Sequence, residues 1–143
     1  TWRPNFRGVG QTEGVHDEGR GELEDLQAVL NSIKREKFIL AGFSFGAYVA
    51  LRAAAPAQVS GLVTVAPAVH LYDFSTLSLP HCPWLLIQGE ADEVVPVAAV
   101  HDWLSGIAPR PQALFLPGVG HFFHGRLNEL KSALHGFVPQ HLL

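Results

Sequence analysis

Short apolar runs alternate along this 143-residue chain with stretches whose apolar residues recur every three or four positions, and few architectures accept that rhythm. Arg20 to Glu36 carries Leu23, Leu26, Leu30 and Ile33 on one helical face, with Glu22, Glu24 and Asp25 near the N-terminal end of the helix dipole. Phe38 to Ala41 follows as a continuous apolar run, which suits a strand buried on both faces of a parallel sheet. Phe45 to Ala55 reads as helix stopped by Pro56, Gly61 to Ala66 as strand, and Trp84 to Gln88 as strand. Pro96 to Gly106 is a helix opened by proline, Ala113 to Leu116 a final strand, and Arg126 to Val138 a closing helix with Leu127, Leu130, Leu134 and Phe137 on one face. Alternation of this kind predicts one α/β domain over residues 1–143, a mostly parallel sheet wound by right-handed crossovers with helices on both faces.

Sheets of this type bind ligands outside the C-terminal ends of their strands, so chemistry is sought in the loops that follow each strand. The loop after Phe38–Ala41 reads Gly42-Phe43-Ser44-Phe45-Gly46, a G-x-S-x-G between strand and helix. A serine on that sharp turn projects its hydroxyl outward, the glycines let strand and helix approach, and the amide of Phe45 at the new helix's start can donate to an oxyanion. A chance glycine-rich turn would look similar in isolation. The loop after Trp84–Gln88 supplies Glu90, Asp92 and Glu93. Asp92 is the acid chosen to orient a histidine, with Glu90 and Glu93 as rivals on position alone and a solvated surface acid as the ordinary fate of any of them. The loop after Ala113–Leu116 supplies His121. Most histidines do no chemistry, but Ser, Asp and His in this chain order at successive strand ends form a joint signal far stronger than any member.

The segments Asn5-Phe6-Arg7-Gly8-Val9-Gly10, Ala41 to Tyr48, Gln88 to Pro96 and Gly120-His121-Phe122-Phe123-His124-Gly125 resemble a group of small bacterial α/β-hydrolases of the carboxylesterase or dienelactone-hydrolase-like type. The resemblance runs over nearly the whole chain and implies an α/β-hydrolase fold with Ser44, Asp92 and His121 as triad. It departs at Gly10-Gln11-Thr12, where relatives often carry Gly-x-Ser, a change with little bearing on catalysis. It also implies strands and a second oxyanion donor upstream of Thr1. The start at Thr1 and the absence of any Met agree with a natural N-terminus that lies elsewhere.

Only Pro67 to Pro83 separates two of the strands, too little for a lid domain, so an open site walled by Phe43, Phe45, Val69, Tyr72, Val94 and Phe122 is expected. His124, three residues past His121, suggests a metal pair, but no third ligand has fitting spacing, and a supporting or surface role is the preferred reading. Glu13, Asp17, Glu18 and Glu22 read as a solvated helix start, and Gly8, Gly10 and Gly14 as turn residues rather than a phosphate loop. A net charge of −3 gives no reason to expect nucleic acid, and no apolar run approaches the roughly 20 residues that span a bilayer. Cys82 is the only cysteine, which forbids an internal disulfide and a thiolate cage and favours the cytoplasm. The expected partner is a small-molecule ester handled without metal or cofactor, by acyl-enzyme chemistry. Peptidase, thioesterase or lactonase use of the same triad, a non-catalytic binding role and a homodimer remain open at this stage.

Overall fold

The computed structural model describes residues 1–34 and 37–142. Its elements follow the order α1 (Arg20–Ser32), β1 (Ile39–Phe43), α2 (Phe45–Ala57), β2 (Gly61–Val65), β3 (Trp84–Gly89), α3 (Val97–Ser105), β4 (Gln112–Leu116) and α4 (Leu127–Leu142). The four strands form one parallel sheet in the order β1-β2-β3-β4. This is the predicted parallel α/β arrangement.

Strand pleating sends alternate residues to opposite faces, and the sequence exploits that period by being apolar at both parities. Leu62, Trp84 and Leu86 point to one face, where Ala50, Leu51 and Ala54 of α2 and Val100 and Leu104 of α3 complete a core. Val63, Val65, Leu85 and Ile87 point to the other, where Phe123 and Phe137 cover them. All five residues of β2 and all six of β3 are buried, as continuous apolar runs require. Each fully buried Leu, Ile or Val there contributes roughly 1.5–3 kcal/mol relative to an exposed one. Thr64 is the polar exception in β2, and its hydroxyl accepts a hydrogen bond from the Trp84 indole at 2.9 Å.

One burial pattern and the ends of three helices stand out against the sequence reading. The strand expected to be buried on both faces, β1, pairs only with β2 among the described residues, and Ala41 and Phe43 are exposed. Helix α1 ends at Ser32, because Ile33 turns to extended backbone; Arg35 and Glu36 of the predicted helix lie outside the described residues. Pro56 does not stop α2. It sits in the last turn, where the one amide bond it forgoes leaves only Ala57 of the helix beyond it, and the helix ends where Gln58 enters the left-handed region at φ 50°. Pro139 likewise lies inside α4, which continues to Leu142.

The acidic stretch before α1 is not simply a solvated helix start. Glu22 is buried, and its carboxylate accepts the backbone amides of Asp17 at 2.6 Å and Gly19 at 3.0 Å, reaching back over the first turn. Burial alone pushes the Glu22 carboxyl up, but these amides, its own and the nearby His16 outweigh that and hold it below the usual carboxylate range. Arg7 adds a two-pronged bond to Asp25, Nε to Oδ2 and Nη2 to Oδ1, both 2.7 Å, which ties the N-terminal loop to α1. Gly8, Gly10 and Gly14 take positive φ, as turn residues do.

Candidate active site

The three loops singled out in the sequence leave the C-terminal ends of β1, β3 and β4, and each is tied down where it starts. The Ser44 amide donates to Val65 O at 2.8 Å and the Glu90 amide to Leu116 O at 2.9 Å, so each loop leaves a fixed strand end. Position rather than flexibility therefore sets what the loops present.

Ser44 occupies the turn between β1 and α2 at φ 53°, ψ −112°, a backbone region that non-glycine residues avoid. Such strain persists only where the surroundings hold it. Gly42 is part of that hold, because a Cβ there would overlap the carbonyl of Gly46. At Gly46 itself a Cβ would meet only the Phe6 ring at 3.6 Å, so the second glycine of the motif is not demanded sterically in the way the first is. The Ser44 hydroxyl does not cap the helix it opens, which leaves it uncommitted. The Phe45 amide, in the first turn of α2, has no acceptor among the described residues.

Asp92 has every acceptor position in use. Its Oδ1 takes the amides of Val94 at 2.8 Å and Val95 at 2.7 Å; its Oδ2 takes Gln88 Nε2 at 3.1 Å and faces His121 Nδ1 at 2.9 Å. Both side chains of that last pair are buried, 0% exposed for the aspartate and 4% for the histidine. The contact leaves Nε2 as the imidazole nitrogen free for other chemistry. Glu90 is exposed and makes no side-chain hydrogen bond, so of the three acids weighed only Asp92 meets the imidazole.

No hydrogen bond joins Ser44 Oγ to His121, and here the structure departs from the continuous line expected of the three groups. The loops that carry them do meet: the ring of Phe43, the residue before the serine, lies 4.9 Å from the imidazole centroid.

The predicted walls divide. Phe43, Val94 and Phe122 are exposed at 42%, 38% and 55%, and Phe43 and Phe122 flank His121, with Phe122 meeting it edge-on at 4.9 Å. Phe45 stands among Phe6, His16 and Tyr72, at centroid distances of 5.1, 5.0 and 5.2 Å. Tyr72 stacks on Tyr48, and burial, followed by the charges of Glu18 and Glu22, raises its phenol. Val69 is half-buried and packs against the core with Tyr72, which makes it a support for the aromatic group rather than part of the exposed shelf. His124 is exposed and lies 5.9 Å from Phe122; no cluster of three or more potential metal ligands occurs among the described residues. Two contacts escaped the sequence reading. Gln88, a buried strand residue, donates to Asp92, and Glu93 accepts the backbone amide of His121 at 3.1 Å. The even parity of Gln88 with Leu86 was a visible signal; the reach of Glu93 was not.

A parallel sheet flanked by helices, with a strained serine between strand and helix and only turns between Val65 and Trp84, defines the lid-less α/β-hydrolase class. Residues 1–81 match the alpha/beta hydrolase family, and the chain belongs to it. A Xanthomonas campestris structure described as an α/β serine hydrolase without lid is 44% identical, with TM-score 0.90 over 96% of this chain and 65% of that one. A Coxiella burnetii α-β serine hydrolase homologue is 43% identical, with TM-score 0.85 over 91% of this chain and 64% of its own. An uncharacterized protein of Rickettsia prowazekii is 29% identical over 95% of this chain and 63% of its length. The chain thus spans somewhat less than two thirds of these relatives. No described helix is long and apolar enough to cross a membrane.

Proposed function

We propose that this chain carries the triad of a serine hydrolase acting on carboxylic esters of small acyl groups: Ser44 as nucleophile, His121 as base, Asp92 as the acid that orients it. The observation that carries the reading is the buried 2.9 Å contact between His121 Nδ1 and Asp92 Oδ2, beside a serine in strained backbone. Ser44 Oγ attacks the ester carbonyl while His121 Nε2 takes its proton; the tetrahedral oxyanion is met by the Phe45 amide. Collapse expels the alcohol, which receives that proton from His121. Water, deprotonated by the same nitrogen, then attacks the acyl-serine and releases the acid. Protein groups supply each of these steps. The exposed Phe43, Val94 and Phe122 favour an apolar acyl or alcohol group next to the imidazole. The lone Cys82 supports a cytoplasmic setting.

Labelling with a fluorophosphonate probe and peptide mapping tests the assignment. Modification at Ser44, together with loss of p-nitrophenyl acetate hydrolysis in Ser44→Ala, is expected. Equal hydrolysis by wild type and Ser44→Ala would instead mark a binding protein with the fold of an enzyme.

A further inference from the structure

The residue after the orienting acid is a second carboxylate, and it reaches the same histidine by a different atom. We infer that Glu93 is a positioning residue that fastens the His121 backbone while Asp92 fastens its ring, so that two consecutive acids hold one imidazole from both ends.

The inference rests on the triad reading above and on three geometric facts. Glu93 Oε2 accepts the His121 backbone amide at 3.1 Å, across 28 residues of sequence. The two loops already run side by side, since the Ala91 amide donates to Val119 O at 3.0 Å and a Cβ at Gly89 would collide with that same carbonyl. Finally, a Cβ at Gly120 would come to 2.9 Å of Glu93 Oε2, so a side chain at 120 would oblige the carboxylate to move. Glu93 is otherwise exposed, and a surface glutamate with no task would be expected to extend into water.

Asp92 alone leaves the histidine free to pivot. A hydrogen bond at Nδ1 fixes the tautomer and the ring's near edge, but the Cα can shift with its loop, and Nε2 swings with it. A second anchor at the backbone amide removes that freedom. Hydrogen bonds from its own amide, then from the His121 amide, hold the Glu93 carboxyl below its usual range, so the anchor is a carboxylate at neutral pH and the bond is charge-assisted. Misplacing a reacting group by 1 Å can cost about 100-fold, and losing one of two anchors should cost part of that, roughly 10-fold.

The test uses the full chain and four variants: Glu93→Ala, Glu93→Gln, Gly120→Ala and the Glu93→Ala/Gly120→Ala double. For p-nitrophenyl acetate, Glu93→Ala is expected to lower kcat about 10-fold with KM within about two-fold, because the anchor acts on the base and not on substrate binding. Glu93→Gln recovers most of the loss, since its amide oxygen accepts the same bond. Gly120→Ala, by shifting the carboxylate, lowers kcat in the same direction and by no more than Glu93→Ala does, and the double variant falls no further than Glu93→Ala alone. Hydrogen exchange of the amides in the His121 loop is expected to quicken in Glu93→Ala, a readout independent of turnover. Unchanged exchange overturns the anchor; faster exchange with unchanged kcat, or losses that multiply in the double variant, overturns its role in placing the base. If wild type and Ser44→Ala hydrolyse equally, it is the triad reading that fails, and exchange still decides the anchor.

Discussion

Replacing Asp92 with Asn changes one atom and should disarm the proposed triad by reversing a proton. The carboxylate accepts four hydrogen bonds, two at each oxygen. An amide has one oxygen to offer. If that oxygen stays with the Val94 and Val95 amides, its NH2 faces Gln88 Nε2 and His121 Nδ1. The imidazole relieves the clash by moving its proton to Nε2, which turns the would-be base into a donor toward Ser44. Triads altered in this way lose about 10⁴ in kcat, or roughly 5.4 kcal/mol of transition-state stabilisation. The fold loses less. With the histidine adjusted, the Gln88 amide either faces another donor or turns its unpartnered Oε1 to the new NH2 at position 92 and gives up its bond to the Gly89 carbonyl, so the cost is one buried hydrogen bond, about 1–3 kcal/mol, or roughly 3–15 °C in Tm for a domain of this size. Turnover of p-nitrophenyl acetate and a thermal melt on the same preparation separate the two effects. A kcat within 10-fold of wild type would refute the reasoning, since among the described residues no other acid is bonded to the imidazole ring.

Ser44→Gly should stabilise the protein by about 1 kcal/mol while abolishing turnover: strain of about 1–3 kcal/mol at φ 53° is relieved, offset by the extra unfolded-state entropy of glycine. Chemical denaturation reads the first effect, and a lower midpoint than wild type would contradict it. Glu22→Gln should cost about 1–3 kcal/mol at neutral pH, because the buried carboxylate loses one of its amide-accepting oxygens. The folded Glu22 carboxyl lies below its ordinary value of 4.5, so its contribution is full above about pH 4.5 and fades as pH falls through the depressed value. Urea unfolding at several pH values should therefore show the gap between wild type and Glu22→Gln closing toward acid; a gap that widens there would reverse the sign of the argument.

Much of this arrangement could be read from residues alone, because the signals were local. Leu62 to Val65 and Trp84 to Ile87 are apolar at both parities, and only a sheet covered on two faces satisfies that. Gly42-Phe43-Ser44 sits between an apolar strand and a helix, and the backbone at Ser44 carries the strain that such a turn implies. What escaped the reading was decided by contacts far apart in sequence. Ala41 looks like a core residue by composition, yet its exposure depends on which strands lie beside β1. Pro56 looks like a stop, but a proline in a last turn breaks little, and the conformation of Gln58 sets the end. Glu22 was grouped with solvated acids because its burial depends on Asp17 and Gly19 folding back over the helix start. Glu93 could not be distinguished from a surface acid until the histidine loop was seen beside it.

The four described strands lie in the sheet in their chain order, and His121 sits on the last of the three loops, 29 residues beyond Asp92. A chain folded only through β3 holds Ser44 and Asp92 of the proposed triad but lacks His121. On the proposed triad, turnover requires β4 to dock on β3 and carry the imidazole into place, so regain of p-nitrophenyl acetate hydrolysis on refolding is expected to report the pairing of these two strands.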